Sequence, residues 1–259
     1  MVGRLNPKRW RTWPGAWLTP LLLALLLNAS AAHADGEEPY PEFVADYAIS
    51  VNGIKVGEAR FRLEHLGTDE YLYESEATKT GLGRLLGSDK ATERSRWRFV
   101  DGSIRALEYQ ARNPEGDDDD NAHLIFDWGA RKVQNRGAGE HWRIAMPEGT
   151  LDQMVMQLAI LLDLRSGERE LRYPVATRGR IKQYRFEVVG EDRTELPFGD
   201  YRTLKLARTD DERDQSWIWS APKLDYFPVR FLKRKESGLK TEILLQRLEL
   251  SPGGAVAAE

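Results

Sequence analysis

Residues 43 to 64 read FVADYAISVNGIKVGEARFRLE, and this stretch decides the fold. Its first half alternates in character with a period of two, which is typical of a half-buried β-strand. The residues on one face of that strand are Phe43, Ala45, Tyr47, Ile49 and Val51. Asn52-Gly53 follows, and because both residues tolerate positive φ, the pair predicts a tight hairpin turn. The returning strand carries apolar residues on one face and charged residues on the other.

The register of this hairpin predicts a β-bulge. Across a two-residue turn Val51 pairs with Ile54, yet Ile54 has the opposite parity to the apolar Ala59 and Phe61. One extra residue must therefore be absorbed between Ile54 and Ala59, and Gly57 is the natural place for it.

The same period recurs along the rest of the chain. Its members are Tyr71, Tyr73, Ser75 and Ala77; Trp97 and Phe99; Leu107 and Tyr109; Leu124, Phe126 and Trp128; Tyr184, Phe186 and Val188; Leu204 and Leu206; Trp217 and Trp219; Val229 and Phe231. Glycine, asparagine, aspartate and proline separate these segments. About a dozen strands in series predict an antiparallel meander.

One segment, from about Leu151 to Leu164, has helical periodicity instead. Thr150 and Gln153 form a capping-box pattern, and Gly167 stands where a helix ends. Apolar residues form two stripes on different sides, so the helix is expected to be buried on both. We therefore predict a mainly β fold: a strongly curved antiparallel sheet, a barrel or half-barrel, with one buried central α-helix.

The first 34 residues resemble a secretory signal peptide. A basic start is followed by the apolar run 17–27 and a small-residue segment, which predicts cleavage between Ala34 and Asp35. The apolar run is too short to span a bilayer, which takes about 20 residues. We expect a periplasmic protein with no membrane span after cleavage. Residues 35–250 then form a single β-rich domain, and residues 251–259 a disordered tail.

Composition excludes several classes of protein. The chain has 38 basic and 41 acidic residues; the leader holds four of the basic ones, leaving 34 against 41 and a net charge of −7. That charge argues against nucleic-acid binding, which needs a basic surface. Cysteine is absent, so disulfides, thiol catalysis and cysteine metal sites are excluded.

No motif in the sequence indicates catalysis, a metal or a cofactor. The four aspartates of 117–120 are contiguous, whereas calcium loops alternate their acidic ligands, so we interpret them as a solvated loop. The histidines lack zinc-site spacing, and no nucleophile elbow, phosphate loop or dinucleotide fingerprint is present. Among 41 acidic residues, nothing in the sequence singles out a catalytic pair.

Two groups of residues are candidates for ligand binding. The glycine-rich loop 80–87 carries Leu82, Leu85 and Leu86, which either receive an apolar ligand or cap one end of the sheet. Trp217 and Trp219 project from one face of one strand, and either pack in the core or line an apolar cavity.

The opening stretch and four later segments resemble one bacterial family. The residues that carry the likeness are Phe43–Tyr47, Asn52–Ala59, Phe126–Trp128, the helix from Leu151, Trp217–Pro222 and Tyr226–Arg230. They resemble the exported bacterial family of unknown function called DUF3108. The resemblance implies a periplasmic β-rich domain and assigns no catalytic or binding residue.

Three function classes follow from these observations. The first is a non-enzymatic protein of envelope biogenesis that binds an apolar ligand or another envelope protein. The second is a structural or interaction protein with a filled barrel and no small-molecule ligand, and the third is an unrecognised enzyme. An apolar cavity beside the helix would favour the first class, and converging carboxylates in a cleft would favour the third. The oligomeric state is not determined by the sequence.

Overall fold

The computed structural model describes residues 40–67, 69–81, 90–114, 121–137 and 141–251. The strands are β1 (Phe43–Val51), β2 (Ile54–His65), β3 (Glu70–Lys79), β4 (Ala91–Val100), β5 (Ser103–Arg112), β6 (His123–Asp127), β7 (Lys132–Asn135), β8 (Arg143–Ala145), β9 (Glu170–Thr177), β10 (Arg180–Leu196), β11 (Gly199–Arg208), β12 (Gln215–Ala221), β13 (Phe227–Arg234) and β14 (Lys240–Leu250). One α-helix, α1 (Val155–Arg165), and a short 3-10 helix (Pro222–Leu224) complete the described elements.

All fourteen strands form one antiparallel sheet in the order β8-β7-β6-β5-β4-β3-β2-β1-β14-β13-β12-β11-β10-β9. The first and last strands, β1 and β14, pair at the centre, and the sheet stays open between β8 and β9. It is strongly curved, because β10 contacts β13 and β14 although two strands separate it from β13 in this order. The prediction of a curved antiparallel sheet with one buried helix is therefore confirmed.

The first hairpin has the predicted turn and bulge. Asn52 and Gly53 both have positive φ, at 50° and 83°. The register of β1 and β2 shifts between Ile49 and Ser50, which leaves the extra residue directly before Gly57. A Cβ atom on Gly57 would lie 2.7 Å from the backbone oxygen of Thr78 in β3, so only glycine fits beside that strand.

Helix α1 is buried on both sides, as its two apolar stripes predict. Leu158 of the main stripe is 2% exposed and Ile160 of the other stripe is 1% exposed. The Tyr40 hydroxyl donates a hydrogen bond to the backbone oxygen of Leu158, and the Tyr173 hydroxyl donates to Asp163 at 2.5 Å. These contacts attach the helix to the chain before β1 and to β9. Gly167 ends the helix with a φ of 90°.

The predicted capping box is wrong. The helix begins at Val155, and the side chain that satisfies its first N–H groups belongs to Asp152. Thr150 instead donates to the backbone oxygen of Pro147, and Gln153 to the hydroxyl of Thr177. The later start has a physical reason, because Leu151 forms a parallel bridge with Val175 at the edge of β9 and cannot be helical at the same time.

Candidate ligand-binding cleft

A cleft of about 540 Å³ opens beside the start of helix α1. It is lined by residues of β3–β7 on one side and by the end of β9 on the other, including Glu93, Tyr109, Trp142 and Arg178. Because β8 and β9 are the unpaired edges of the sheet, the cleft lies where the sheet is open. A second, more open depression of about 770 Å³ shares Glu93 with it.

Small side chains create the space in this cleft. Five alanines line it, at Ala77, Ala91, Ala111, Ala122 and Ala176. Elsewhere the same face of the sheet carries large residues, and Trp97, which is fully buried, stacks on Tyr71 at a centroid distance of 4.2 Å. In the described part of the chain, the interior is therefore filled around Trp97 and open beside the N-terminal end of the helix.

Glu93 is the one acidic residue in the described lining of the cleft. Its carboxylate accepts a hydrogen bond from the Tyr109 hydroxyl at 2.5 Å and another from the side chain of Ser75. Burial raises the pKa of Glu93, and these two hydrogen bonds only partly offset that effect. Among the described residues no cationic side chain forms an ion pair with it.

Acids on the opposite face of the sheet are in a different environment. Glu74 and Arg94 form an ion pair at 2.5 Å, and Asp46 and Arg60 form one at 2.6 Å. Such exposed pairs contribute little to stability, about 0–1 kcal/mol each. Glu93 differs from these acids, because it is desolvated, borders a cavity and accepts hydrogen bonds only from neutral side chains.

A second buried carboxyl belongs to Asp152, the residue that precedes Gln153 of the cleft lining. It accepts a hydrogen bond from the Ser95 hydroxyl at 2.6 Å and from the N–H groups of Met154 and Val155 at 2.8 and 3.0 Å. Burial, with a smaller contribution from the charge of nearby Glu93, raises the pKa of Asp152 to about 6, and the hydrogen bonds that its carboxylate accepts offset part of that effect. Asp152 does not line the cleft, and its contacts assign it to joining the helix to β4.

The rim of the cleft is formed by basic and aromatic side chains. Arg112 ends β5 beside the cleft, but it has the parity of the exposed Gln110, so its side chain lies on the outer face of the sheet. Arg178 stands on the opposite wall in the turn between β9 and β10. Trp142, directly before β8, lies against Gly179, which follows Arg178 in that turn: a Cβ atom on Gly179 would be 3.6 Å from the tryptophan ring. This tryptophan therefore spans the gap between the two edges of the sheet.

The described residues hold no metal-binding constellation. No group of three or more histidine, cysteine, aspartate or glutamate side chains there could bind a metal ion. The described part of the chain also has no helix with the length and apolar character needed to cross a membrane.

Comparison with known families now identifies the relatives of this chain. Residues 46–243 match the family described as "Protein of unknown function (DUF3108)". The chain belongs to the DUF3108 family. This confirms the resemblance of the opening stretch and of the later tryptophan and proline segments. Comparison with curated proteins finds no match.

Among solved structures, this DUF3108 member is similar to a β-barrel-like protein of the domain of unknown function DUF1849 from Brucella abortus. The two share 8% sequence identity with a TM-score of 0.53, and the likeness covers 82% of this chain and 98% of the other. At this identity the likeness shows the fold alone.

The structure places the predicted tryptophans on the face of the sheet that points away from the helix, where Trp219 is buried and Trp217 half-buried. Trp219 pairs with Lys205 of β11 and Arg230 of β13, whereas the intervening Ile218 faces the helix side with Leu206 and Phe231. The cations of Lys205 and Arg230 lie 5.2 and 4.5 Å from the Trp219 ring centroid. Neither Trp217 nor Trp219 borders the cleft, and their role in ligand binding stays a prediction.

The loop leucines and the leader cannot be compared with the structure. Leu82, Leu85 and Leu86 lie outside the described residues, as do Ala34, Asp35 and residues 252–259. Glu93 is not among the residues predicted from the sequence, although the sequence carries a signal for it. Glu93 has the same parity in β4 as the buried Trp97, so strand alternation alone puts an acid on the interior face.

Proposed function

We propose that this DUF3108 member is a non-enzymatic binding protein of the periplasm that acts in envelope biogenesis. Its ligand, a small molecule or a segment of another envelope protein, occupies the cleft at Glu93. The observation that carries the proposal is a cavity lined by five alanines around a desolvated carboxyl. Nothing in sheet packing requires that combination, because larger apolar residues would fill the space and remove the cost of burying Glu93.

The chemistry of the lining favours a ligand with polar groups. Beside the alanines, the walls present Glu93, Tyr109, Asn135, Gln153 and Arg178. The apolar interior next to the helix is occupied by side chains such as Leu158 and Ile160. A ligand in this cleft therefore gains more from hydrogen bonds and charge than from apolar burial.

The signal-peptide pattern of the sequence supports the periplasmic part of the proposal. The basic, apolar and small-residue order of the first 34 residues motivates cleavage between Ala34 and Asp35. N-terminal sequencing of the protein from a periplasmic fraction should begin at Asp35. Protein that is found in a membrane fraction and still contains residues 21–27 would contradict the periplasmic location.

A structural or interaction protein is the second candidate function, and the filled interior favours it. Among the described residues, 39 hydrophobic side chains are buried in one cluster, which is sufficient for a rigid scaffold. The two candidates differ in what the cleft does, because a scaffold needs no occupant there.

Native mass spectrometry of protein purified from the periplasm separates these candidates. We expect the wild type to retain a bound species that the cleft-filling variant Ala111→Leu loses. Ala130→Leu, at an exposed turn outside the cleft, is the matched control and should retain the species. If wild type and Ala111→Leu are both ligand-free and both complement a deletion strain, the binding proposal is wrong. If the wild type converts the bound species to a product, the non-enzymatic part fails.

A further inference from the structure

We propose that the cleft binds a small organic cation, whose ammonium group contacts the carboxylate of Glu93 and the aromatic rings of the lining. This inference rests on the proposed binding function and adds the charge and the chemical class of the ligand.

Glu93 is a carboxyl that lacks a cation. It borders the cleft, is largely removed from water, and accepts hydrogen bonds from the neutral hydroxyl groups of Tyr109 and Ser75. No described side chain forms an ion pair with it. A carboxylate in this environment is costly, and its energy falls when a positive charge approaches.

Packing does not explain why this residue is an acid. An amide at position 93 would be held by the same hydroxyl groups of Ser75 and Tyr109, and it would carry no charge to desolvate. A carboxyl is favoured over an amide where a positive charge is supplied. The cleft gives a ligand access to Glu93, so the ligand is the source of that charge.

The two arginines of the lining do not supply it. Arg112 has the parity of Thr92 and Gln110, so its side chain lies on the face of the sheet opposite Glu93. Arg178 lies on the other wall, in the turn between β9 and β10. It has an interaction of its own there and forms no ion pair with Glu93.

The rest of the lining suits an organic ammonium group. Tyr109 and Trp142 both border the cleft, and the faces of aromatic rings attract ammonium ions. The five alanines provide apolar surface for the attached carbon skeleton, and a volume of about 540 Å³ is within the range of small-molecule sites. Two sources share this chemistry: a protonated amine, which donates N–H groups to Glu93, and a quaternary ammonium, which makes charge and ring contacts alone.

Cations and neutral molecules of the same shape test the proposal on the mature protein. n-Butylamine, protonated at pH 7, is compared with n-butanol, and choline with 3,3-dimethylbutan-1-ol, in which carbon replaces the charged nitrogen. Butyrate is the anionic probe. The indole N–H signal of Trp142, assigned with Trp142→Phe, reports occupancy by NMR and detects dissociation constants into the millimolar range.

We expect at least one cation to bind about tenfold more tightly than its neutral counterpart, since the counterpart loses the charge-assisted contact. Butyrate should not shift the signal. Preference for n-butylamine over choline identifies an amine with N–H donors as the source, and the reverse identifies a quaternary ammonium. This comparison uses the wild-type protein, so it does not depend on how any variant folds.

Two variants assign the preference to the cleft. Glu93→Gln should bring each cation to within about twofold of its neutral counterpart, because the charge that distinguishes them is removed. The exposed Glu170→Gln is the matched control and should keep the preference. Ala111→Leu should abolish binding of the cation, and Ala130→Leu should not.

The outcomes separate this inference from the function on which it rests. Equal affinity for a cation and its neutral counterpart, binding of butyrate, or a preference that survives Glu93→Gln overturns the organic cation and leaves the binding function intact. If no probe shifts the signal while native mass spectrometry shows a species lost by Ala111→Leu, the organic cation is again wrong and binding stands. If that species is absent as well, both proposals fail.

Discussion

Asp152 is a fully buried carboxyl that joins the first turn of the helix to β4 through Ser95. It takes the place that Thr150 has in the sequence-based prediction, because the edge bridge of Leu151 moves the helix start downstream. Its oxygens accept two backbone N–H groups that would otherwise be unsatisfied inside the protein. The same burial makes the ionised form of Asp152 expensive.

Asp152→Asn should therefore stabilise the protein at neutral pH. The native pKa of about 6 lies above 3.8, the ordinary value of an aspartate, so the native state binds the proton more tightly than the unfolded state. The favourable contribution is complete below about pH 4 and is lost as the pH rises through about 6. Asparagine keeps an acceptor for the helix N–H groups and an N–H donor for Ser95, without a charge.

Urea unfolding between pH 4 and pH 7 measures this effect. The wild type should lose stability over that range, and Asp152→Asn should lose less of it, a difference of up to about 3 kcal/mol at pH 7. Asp101→Asn, at an exposed turn, is the control and should follow the wild type. An Asp152→Asn protein that is less stable than the wild type at pH 7 would show that the ionised cap is favourable after all.

At the scale of elements, helix α1 is the part of the fold that the sequence described best. Its two apolar stripes predict burial on both sides, and seven of its eleven residues are buried. The sheet packs against one side of the helix. The chain around Tyr40 contacts another side, where the Tyr40 hydroxyl donates a hydrogen bond to the backbone oxygen of Leu158. A helix buried in this way depends on packing more than on its own helical propensity.

Leu158→Ala and Ile160→Ala should each destabilise the protein by about 2–5 kcal/mol, because each leaves a cavity on a different buried side of the helix. Denaturant unfolding provides the measurement. Ala130→Leu, at an exposed turn, should stay within about 0.5 kcal/mol of the wild type. A loss below about 0.5 kcal/mol for Ile160→Ala would mean that one side of the helix is hydrated.

At the scale of the whole molecule, the two ends of the domain meet in the middle of the sheet. β1 pairs with β14 along its full length, and the N–H of Ser251 donates to the backbone oxygen of Glu42 at 2.9 Å. Closing that pair brings together segments about two hundred residues apart, which predicts slow folding. It also means that β14 and β1 could be joined directly as a hairpin.

A circular permutant that links residue 251 to residue 40 and begins in the exposed turn at Glu236–Gly238 should fold. Its urea midpoint should lie close to that of the uncut domain, because only one surface turn is opened. A chain that ends before β14 should not fold, since β1 and β13 would each lose one of their two partner strands and the sheet would be cut in two. Circular dichroism and urea unfolding distinguish the two, and a folded truncated chain would refute the central role of this pair.

The local features of this protein were determined by its sequence alone. Strand periodicity, the Asn52-Gly53 turn, the extra residue beside Gly57, and the doubly apolar helix depend on neighbours along the chain. For that reason they can be read without coordinates. Membership of the family likewise follows from short sequence segments and their order along the chain.

The tertiary structure alone decided where the sheet opens, which face Trp217 and Trp219 occupy, and what caps the helix. It also decided the cleft. Five alanines from β3, β4, β5, β9 and the segment before β6 become a cavity only when pairing sets them around Glu93. Alternation shows which way each residue points, but the empty volume among distant residues depends on register and curvature, which sequence neighbours do not specify.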